Sequence, residues 1–144
     1  MRAKRNKNVI LVFISTDIGI VLRQVVMRSS SGERKIFEIL AANDLPFAEE
    51  YEFPDLVSTS GRHLRFDFCV FDDNRNIDFL IEFQGKQHYL PVKHFGGEKA
   101  VHRQRYNDNL KRRYCLDKGY NLVVIPYWDE PILSYDYIMQ AAGY

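Results

Sequence analysis

With 144 residues the chain is long enough to bury one respectable core and too short for two. An apolar fraction of 46% and a charged fraction of 27% are ordinary for a soluble globular protein, and no repeat or low-complexity tract interrupts them. Two cysteines, Cys69 and Cys115, exclude a disulfide scaffold or a cysteine metal framework and fit a reducing cytoplasm, each as a small core or sheet residue.

The net charge of +1 conceals a segregation of sign. From Lys86 to Arg113 there are eight Lys or Arg against two acids, Glu98 and Asp108; from Asp44 to Glu82 there are ten acids against three arginines. Opposite signs in successive segments suggest a basic surface beside an acidic site, although a solvated helix face has the same composition.

The N-terminus opens with a basic stretch, Met1 to Asn8, and a mostly apolar one, Val9 to Leu22. Asp17 interrupts that run, Arg23 follows it and no small-residue cleavage site stands out, so a secretory leader is not expected. The run is also too short and too charged to span a membrane. Its Val, Ile and Phe content favours a strand or strand pair. Residues 1–28 are therefore read as an extension, and residues 29–144 as the main domain, with a cytoplasmic location and no membrane partner.

The serine run Ser29-Ser30-Ser31 leads into Ile36, Phe37, Ile39 and Leu40 at helical spacing, and Asn43-Asp44 with Pro46 ends the helix. Leu64 to Phe71 and Ile77 to Gln84 read as strands around the turn-rich segment Asp72 to Asn76. A long helix is expected from about Glu98 to Lys118, stopped by Gly119. A buried strand follows over Tyr120 to Ile125, closed by Pro126, and a short helix over Ile132 to Ala142. The order helix, hairpin, helix, strand, helix argues for an α/β fold with a mixed central sheet flanked by helices.

Pairing the two hairpin strands symmetrically puts Phe71 opposite Asp78, Asp67 opposite Glu82 and Arg65 opposite Gln84. Phe66 and Phe83, Phe68 and Ile81, and Val70 and Phe79 then share an apolar face that fixes the register by burial. Asp67 and Glu82 come to lie with Cβ atoms about 5 Å apart. Like charges that close need a proton held at a raised pKa or a bridging cation. Hard oxygen donors suit Mg²⁺ or Mn²⁺, which polarises a phosphoryl oxygen and acidifies water. The plainer reading is an exposed acidic sheet face paired with a cation such as Arg65.

The run Glu82-Phe83-Gln84-Gly85-Lys86-Gln87-His88-Tyr89 concentrates acid, amide, glycine, cation and imidazole at one strand end. Gln84 shares the face of Glu82 by alternation. Gly85 permits a sharp exit or the close approach of a backbone such as a phosphodiester. His88 lies where it could act as general acid or base near neutral pH.

Asp67 followed by Glu82-Phe83-Gln84 at the end of the next strand resembles the PD-(D/E)xK nuclease motif, with Phe66 in place of its proline and Gln84 in place of its lysine. Some restriction enzymes of that superfamily carry such a glutamine. The ordered set Ser31-Gly32-Glu33, Phe66-Asp67-Phe68, Gln87-His88-Tyr89, Phe95-Gly96-Gly97, then Asp108, Lys111 and Tyr114-Cys115, extends to Ile125-Pro126-Tyr127. It is similar to the EDxHD group of phage homing endonucleases, themselves similar to the very-short-patch mismatch repair endonuclease, over roughly two thirds of the chain. The resemblance implies a restriction-endonuclease-like fold and a metal-dependent DNA endonuclease. Glu33 and Asp67 would be its first acids, His88 its catalytic histidine and Asp108 its last acid, with the variable position near Glu82 to Gln84. Glu33 also stands three residues after Ser30, the capping-box spacing. Asp108 could instead pair with Lys111 or Arg112 along its helix, or orient His88.

For DNA, Lys86, Lys93, Lys99, Arg103, Arg105, Lys111 and Arg112, joined by Arg113, offer a dense cationic face for salt-sensitive phosphate binding. His94 to Gly97 reads as a mobile loop beside the site. No zinc finger or helix-turn-helix signature supplies base readout, and the four histidines lack zinc-site spacing. The expectation is therefore an endonuclease with Asp67 and Glu82 as metal ligands and His88, Asp108, Glu33 and Gln84 in support; double-strand cutting would call for a homodimer. The alternative is a DNA-binding module whose nuclease site has degenerated, motivated by the missing lysine.

Overall fold

The computed structural model describes residues 9–16, 19–26, 30–91, 93 and 96–144, the first two stretches by backbone alone. The expected loop residues His94 and Phe95 and the basic stretch 1–8 lie outside the described residues. The N-terminal strand pair is β1 (Val9–Thr16) and β2 (Gly19–Val26), an antiparallel two-stranded sheet distinct from the main one.

The main sheet has four strands in the order β3-β4-β5-β6: β3 (Phe47–Val57), β4 (His63–Phe71), β5 (Ile77–Gln84) and β6 (Leu122–Pro126). The first three are antiparallel neighbours and β6 is parallel to β5, so the sheet is mixed. A parallel β6 requires a crossover. That crossover is α2 (Gly97–Lys118), which ends on Gly119 at φ 75°, the left-handed conformation that favours glycine. Helix α1 (Ser31–Ala42) precedes the sheet and α3 (Tyr135–Ala141) closes the chain after a 3₁₀ segment, Tyr127–Ile132. The Ser30 hydroxyl accepts the Glu33 N–H at 3.4 Å and caps α1, as the spacing predicted.

The hydrophobic core divides across the sheet. One cluster joins Ile36 and Leu40 of α1 and Ile138 of α3 to Phe68, Val70, Phe79, Ile81 and Phe83. The other joins Cys115 of α2 to Phe53, Leu64, Phe66, Cys69 and Leu80. Helices therefore cover both faces, and Glu82 is buried where the plainer reading put an exposed acidic face. Both cysteines are buried thiols, and burial pushes Cys69 up to about 12 and Cys115 up to about 11.

Three details depart from the sequence-based expectation. Strand β3 was not expected; its Glu49, Glu50, Glu52, Pro54 and Asp55 disguise an edge strand, where proline and charge are tolerated. The hairpin keeps the expected register at Phe68↔Ile81, Cys69↔Leu80 and Val70↔Phe79, but an irregularity pairs Phe71 with Ile77 and not Asp78. Phe66 does not share a face with Phe83, because it packs in the α2-side cluster with Cys69. Side-chain alternation therefore changes parity between Phe66 and Phe68, at Asp67.

Candidate functional site

Asp67 explains that change of parity. The paired run of β4 and β5 ends at Phe68↔Ile81, and beyond it the Phe83 N–H donates to the Asp67 carboxylate, Oδ2, at 2.7 Å. A side chain thus takes over where a ladder bond would stand, and holds the carboxylate against β5 beside Glu82. Glu82 is 5% exposed. Burial and the neighbouring Asp67 charge push its carboxyl up to about 8, while Lys111 pulls it down. Arg65 does not compensate this pair; it is engaged by Glu50 and Glu52 on the exposed edge.

The compensating cation comes from α2. Lys111 Nζ donates to Glu82 Oε1 at 2.7 Å, with both side chains largely buried, and lies 5.6 Å from the Phe66 ring centroid. This corrects the reading of Lys111 as a surface phosphate contact or an Asp108 partner. Asp108, one turn earlier, accepts from His88 Nδ1 at 2.9 Å, and Gln104 Nε2 lies 3.0 Å from His88 Nε2. An amide nitrogen only donates, so Nε2 is the acceptor and the Nδ1–H form of a neutral imidazole fits both bonds. Gln104, Asp108, Lys111 and Cys115 recur every three or four residues and form the inward stripe of α2.

These groups meet in a cleft of about 640 Å³ lined by Ser30, Ser31, Glu33, Asp67, Glu82, Phe83, Gly85, Lys86, Gln87, His88, Gln104, Lys111, Tyr127 and Glu130. Glu33 reaches it because the first turn of α1 packs over β5: Gly32 is buried, and a Cβ there would lie 2.1 Å from the Phe83 ring. Capping and cleft lining thus coexist at this helix start. Of the expected site residues, Glu33, Asp67, Glu82 and His88 line the cleft, and Asp108 stands behind His88. Gln84 does not line it. That side chain is buried, its Oε1 accepting from the Tyr89 hydroxyl at 2.6 Å. What closes on Gly85 is the Gln87 side chain, whose amide oxygen would lie 2.5 Å from an added Cβ.

Lys86 is exposed at the mouth of the cleft, whereas Lys93, Lys99, Arg103, Arg105 and Arg112 are exposed outside it. Gln104, Tyr127 and Glu130 were not expected as site residues, and Lys111 was expected only as a phosphate contact. The 104–108–111 helical spacing carried a signal for Gln104; Glu130 gave none. Among the described residues no three His, Cys, Asp or Glu side chains converge as a ready-made metal cage, and no helix is long and apolar enough to cross a membrane.

Comparison with known proteins returns viral relatives. The chain is 35% identical over 80 residues to the uncharacterized protein 307L of Invertebrate iridescent virus 6, covering 55% of this chain and 41% of that protein. It is 35% identical over 78 residues to the uncharacterized protein 094L of Frog virus 3, covering 53% and 48%. It is 42% identical over 69 residues to the uncharacterized protein 033L of Invertebrate iridescent virus 3, covering 47% and 34%. The match thus spans less than half the length of each of these relatives. No family model and no solved structure matches.

Proposed function

We propose that the chain is a metal-dependent DNA endonuclease with a restriction-endonuclease-like fold, cutting phosphodiester bonds in the cleft between α1, β5 and α2. The observation that carries this reading is the juxtaposition of Asp67 and the buried Glu82 beside the His88–Asp108 pair in one cleft. Four acidic residues line the cleft, Glu33, Asp67, Glu82 and Glu130, against two lysines, Lys86 and Lys111. A polyanionic substrate enters such a cleft only if a cation offsets the carboxylates. The donor set fits a hard divalent ion: Asp67 and Glu82 supply oxygens, and Mg²⁺ keeps much of its water rather than demanding a full protein cage. Bound there, Mg²⁺ or Mn²⁺ would polarise a phosphoryl oxygen and acidify water.

The chain's own residues do the rest. Asp108 orients His88 and fixes its tautomer, so that Nε2 takes up or returns a proton once Gln104 gives way. Lys111 supplies from the helix the ammonium that Gln84 does not supply from the strand. Lys86 and the exposed cations of α2 attract phosphates in a salt-sensitive manner. The direct test is incubation with supercoiled plasmid at low salt in Mg²⁺, Mn²⁺ or EDTA, beside Asp67→Ala and His88→Ala. Metal-dependent nicking or linearisation absent from both variants is expected; cleavage retained by a clean Asp67→Ala preparation would sink the assignment. Salt-sensitive DNA binding without cleavage in any metal would favour a binding module with a degenerate nuclease fold.

A further inference from the structure

Next to the cleft the protein exposes Trp128, which neither core cluster absorbs, on an aromatic group whose Tyr127 packs against the core. Trp128, the single tryptophan of the chain, is 56% exposed on the 3₁₀ segment after β6. Its ring is supported from two sides, by Tyr89 at 4.7 Å between centroids and by Tyr127 at 5.2 Å, with Tyr89 and Tyr127 5.9 Å apart. Each support is tied to the site. The Tyr89 hydroxyl is bonded to Gln84, two residues beyond Glu82, and Tyr127 itself lines the cleft. The segment is also fastened to α1, since Lys35 Nζ donates to the Glu130 carbonyl at 2.8 Å. Asp129, beside Trp128, accepts from the Tyr137 hydroxyl at 2.7 Å.

A rigid indole held open to solvent forfeits the gain of burying it, and at the rim of a phosphate-cleaving site a nucleobase is the flat apolar group within reach. In intact duplex the bases are stacked on one another and offer no free face. We infer that Trp128, carried on Tyr89 and Tyr127, stacks an unpaired nucleobase beside the bound phosphate, so that the favoured substrate is DNA with an unpaired nucleotide at the cut. This deepens the endonuclease reading and rests on it for the position of the strand.

The test needs no cleavage. Emission of the lone tryptophan is followed in EDTA on adding single-stranded DNA, intact duplex, or duplex with a short gap. Anisotropy of labelled DNA gives the affinities of wild type, Trp128→Phe and Trp128→Ala, with circular dichroism to confirm their folding. Single-stranded and gapped DNA are expected to quench Trp128 and intact duplex to leave it nearly unchanged. Trp128→Ala should weaken binding of the gapped DNA by about 5- to 150-fold, the range of one stacked base, with duplex affinity unmoved, while Trp128→Phe keeps most of it. Equal quenching by intact duplex, or a Trp128→Ala affinity for gapped DNA equal to wild type, overturns the inference. Quenching and discrimination in a protein that cuts no DNA would leave the stacking surface standing and remove the endonuclease reading alone.

Discussion

Replacing Lys111 by Met leaves the Glu82 carboxylate buried beside Asp67 with its nearest cation gone. Breaking a buried ion pair by deleting one partner costs about 3–5 kcal/mol, because the remaining charge has neither water nor counter-ion. At a urea m-value of about 2 kcal/mol/M, that lowers the unfolding midpoint by about 2 M. The loss depends on pH in a defined direction. Glu82 in the native state holds its proton up to about 8, whereas the unfolded carboxyl releases it near 4.5. The native state therefore binds more protons across that window, and stability from this group falls as pH rises through it. Lys111 lowers the native value, so its removal pushes Glu82 higher still. The Lys111→Met penalty should be small below about 8, where Glu82 is neutral in either protein, and grow toward its full size as pH rises above it. Lys111→Met/Glu82→Gln should recover the whole loss at alkaline pH. Urea titrations of the three proteins well below and well above pH 8 decide it. A penalty independent of pH, or a double variant no more stable than Lys111→Met, would refute the reasoning.

Asp67→Asn keeps an oxygen that accepts the Phe83 N–H, so stability should change by no more than about 1 kcal/mol. It deletes the charge that raises Glu82, so the Glu82 pKa should fall, and on the proposed endonuclease reading metal-dependent nicking should be lost; thermal melts and plasmid assays separate the two effects. In nitrogen-edited NMR the neutral form of His88 should carry its proton on Nδ1; a dominant Nε2–H tautomer would contradict the Asp108 and Gln104 bonds. Asp108→Asn should approach His88→Ala in plasmid nicking, a loss of about 10²–10⁴-fold, while leaving the far-ultraviolet circular dichroism unchanged. Gly32→Ala should destabilise by about 1–3 kcal/mol, since its Cβ would lie 2.1 Å from the Phe83 ring. Phe83→Leu in the same chain should recover part of that, as equilibrium unfolding would reveal.

The parts of the fold announced by apolar periodicity were legible in the sequence. Ile36 and Leu40 marked α1, the alternating β4 and β5 fixed their own register at Phe68, Cys69 and Val70, and Gly119 marked the end of α2. What escaped was governed by contacts between distant segments. Strand β3 is an edge strand that carries Glu49, Glu50, Glu52, Pro54 and Asp55, so composition disguised it. The departure of Asp67 from the ladder depends on a bond to Phe83, which no local pattern encodes. Helix α2 turns a largely polar stripe inward, Gln104, Asp108 and Lys111, so amphipathicity gave no sign of which face was buried. Lys111 was consequently assigned with the exposed cations Lys99, Arg103 and Arg112, although its partner is a carboxylate 29 residues away in the chain.

The same stripe bears on why the cleft is built as it is. Buried ion pairs are poor stabilisers relative to apolar residues of similar volume, because desolvation offsets their attraction. A Glu82–Lys111 pair placed beside a second carboxylate is worse, as the raised Glu82 pKa records. A protein needing only to fasten α2 to its sheet would use more residues like Cys115 and Leu80, which already do so in the neighbouring cluster. The polar docking of α2 is thus a cost to the fold that a chemical role would explain, and perturbed carboxylates in a cleft are where such roles concentrate. On this argument Glu82→Gln/Lys111→Met should be at least as stable as wild type at alkaline pH while losing metal-dependent cleavage, and a double variant less stable than wild type would mean that the pair is there for the fold.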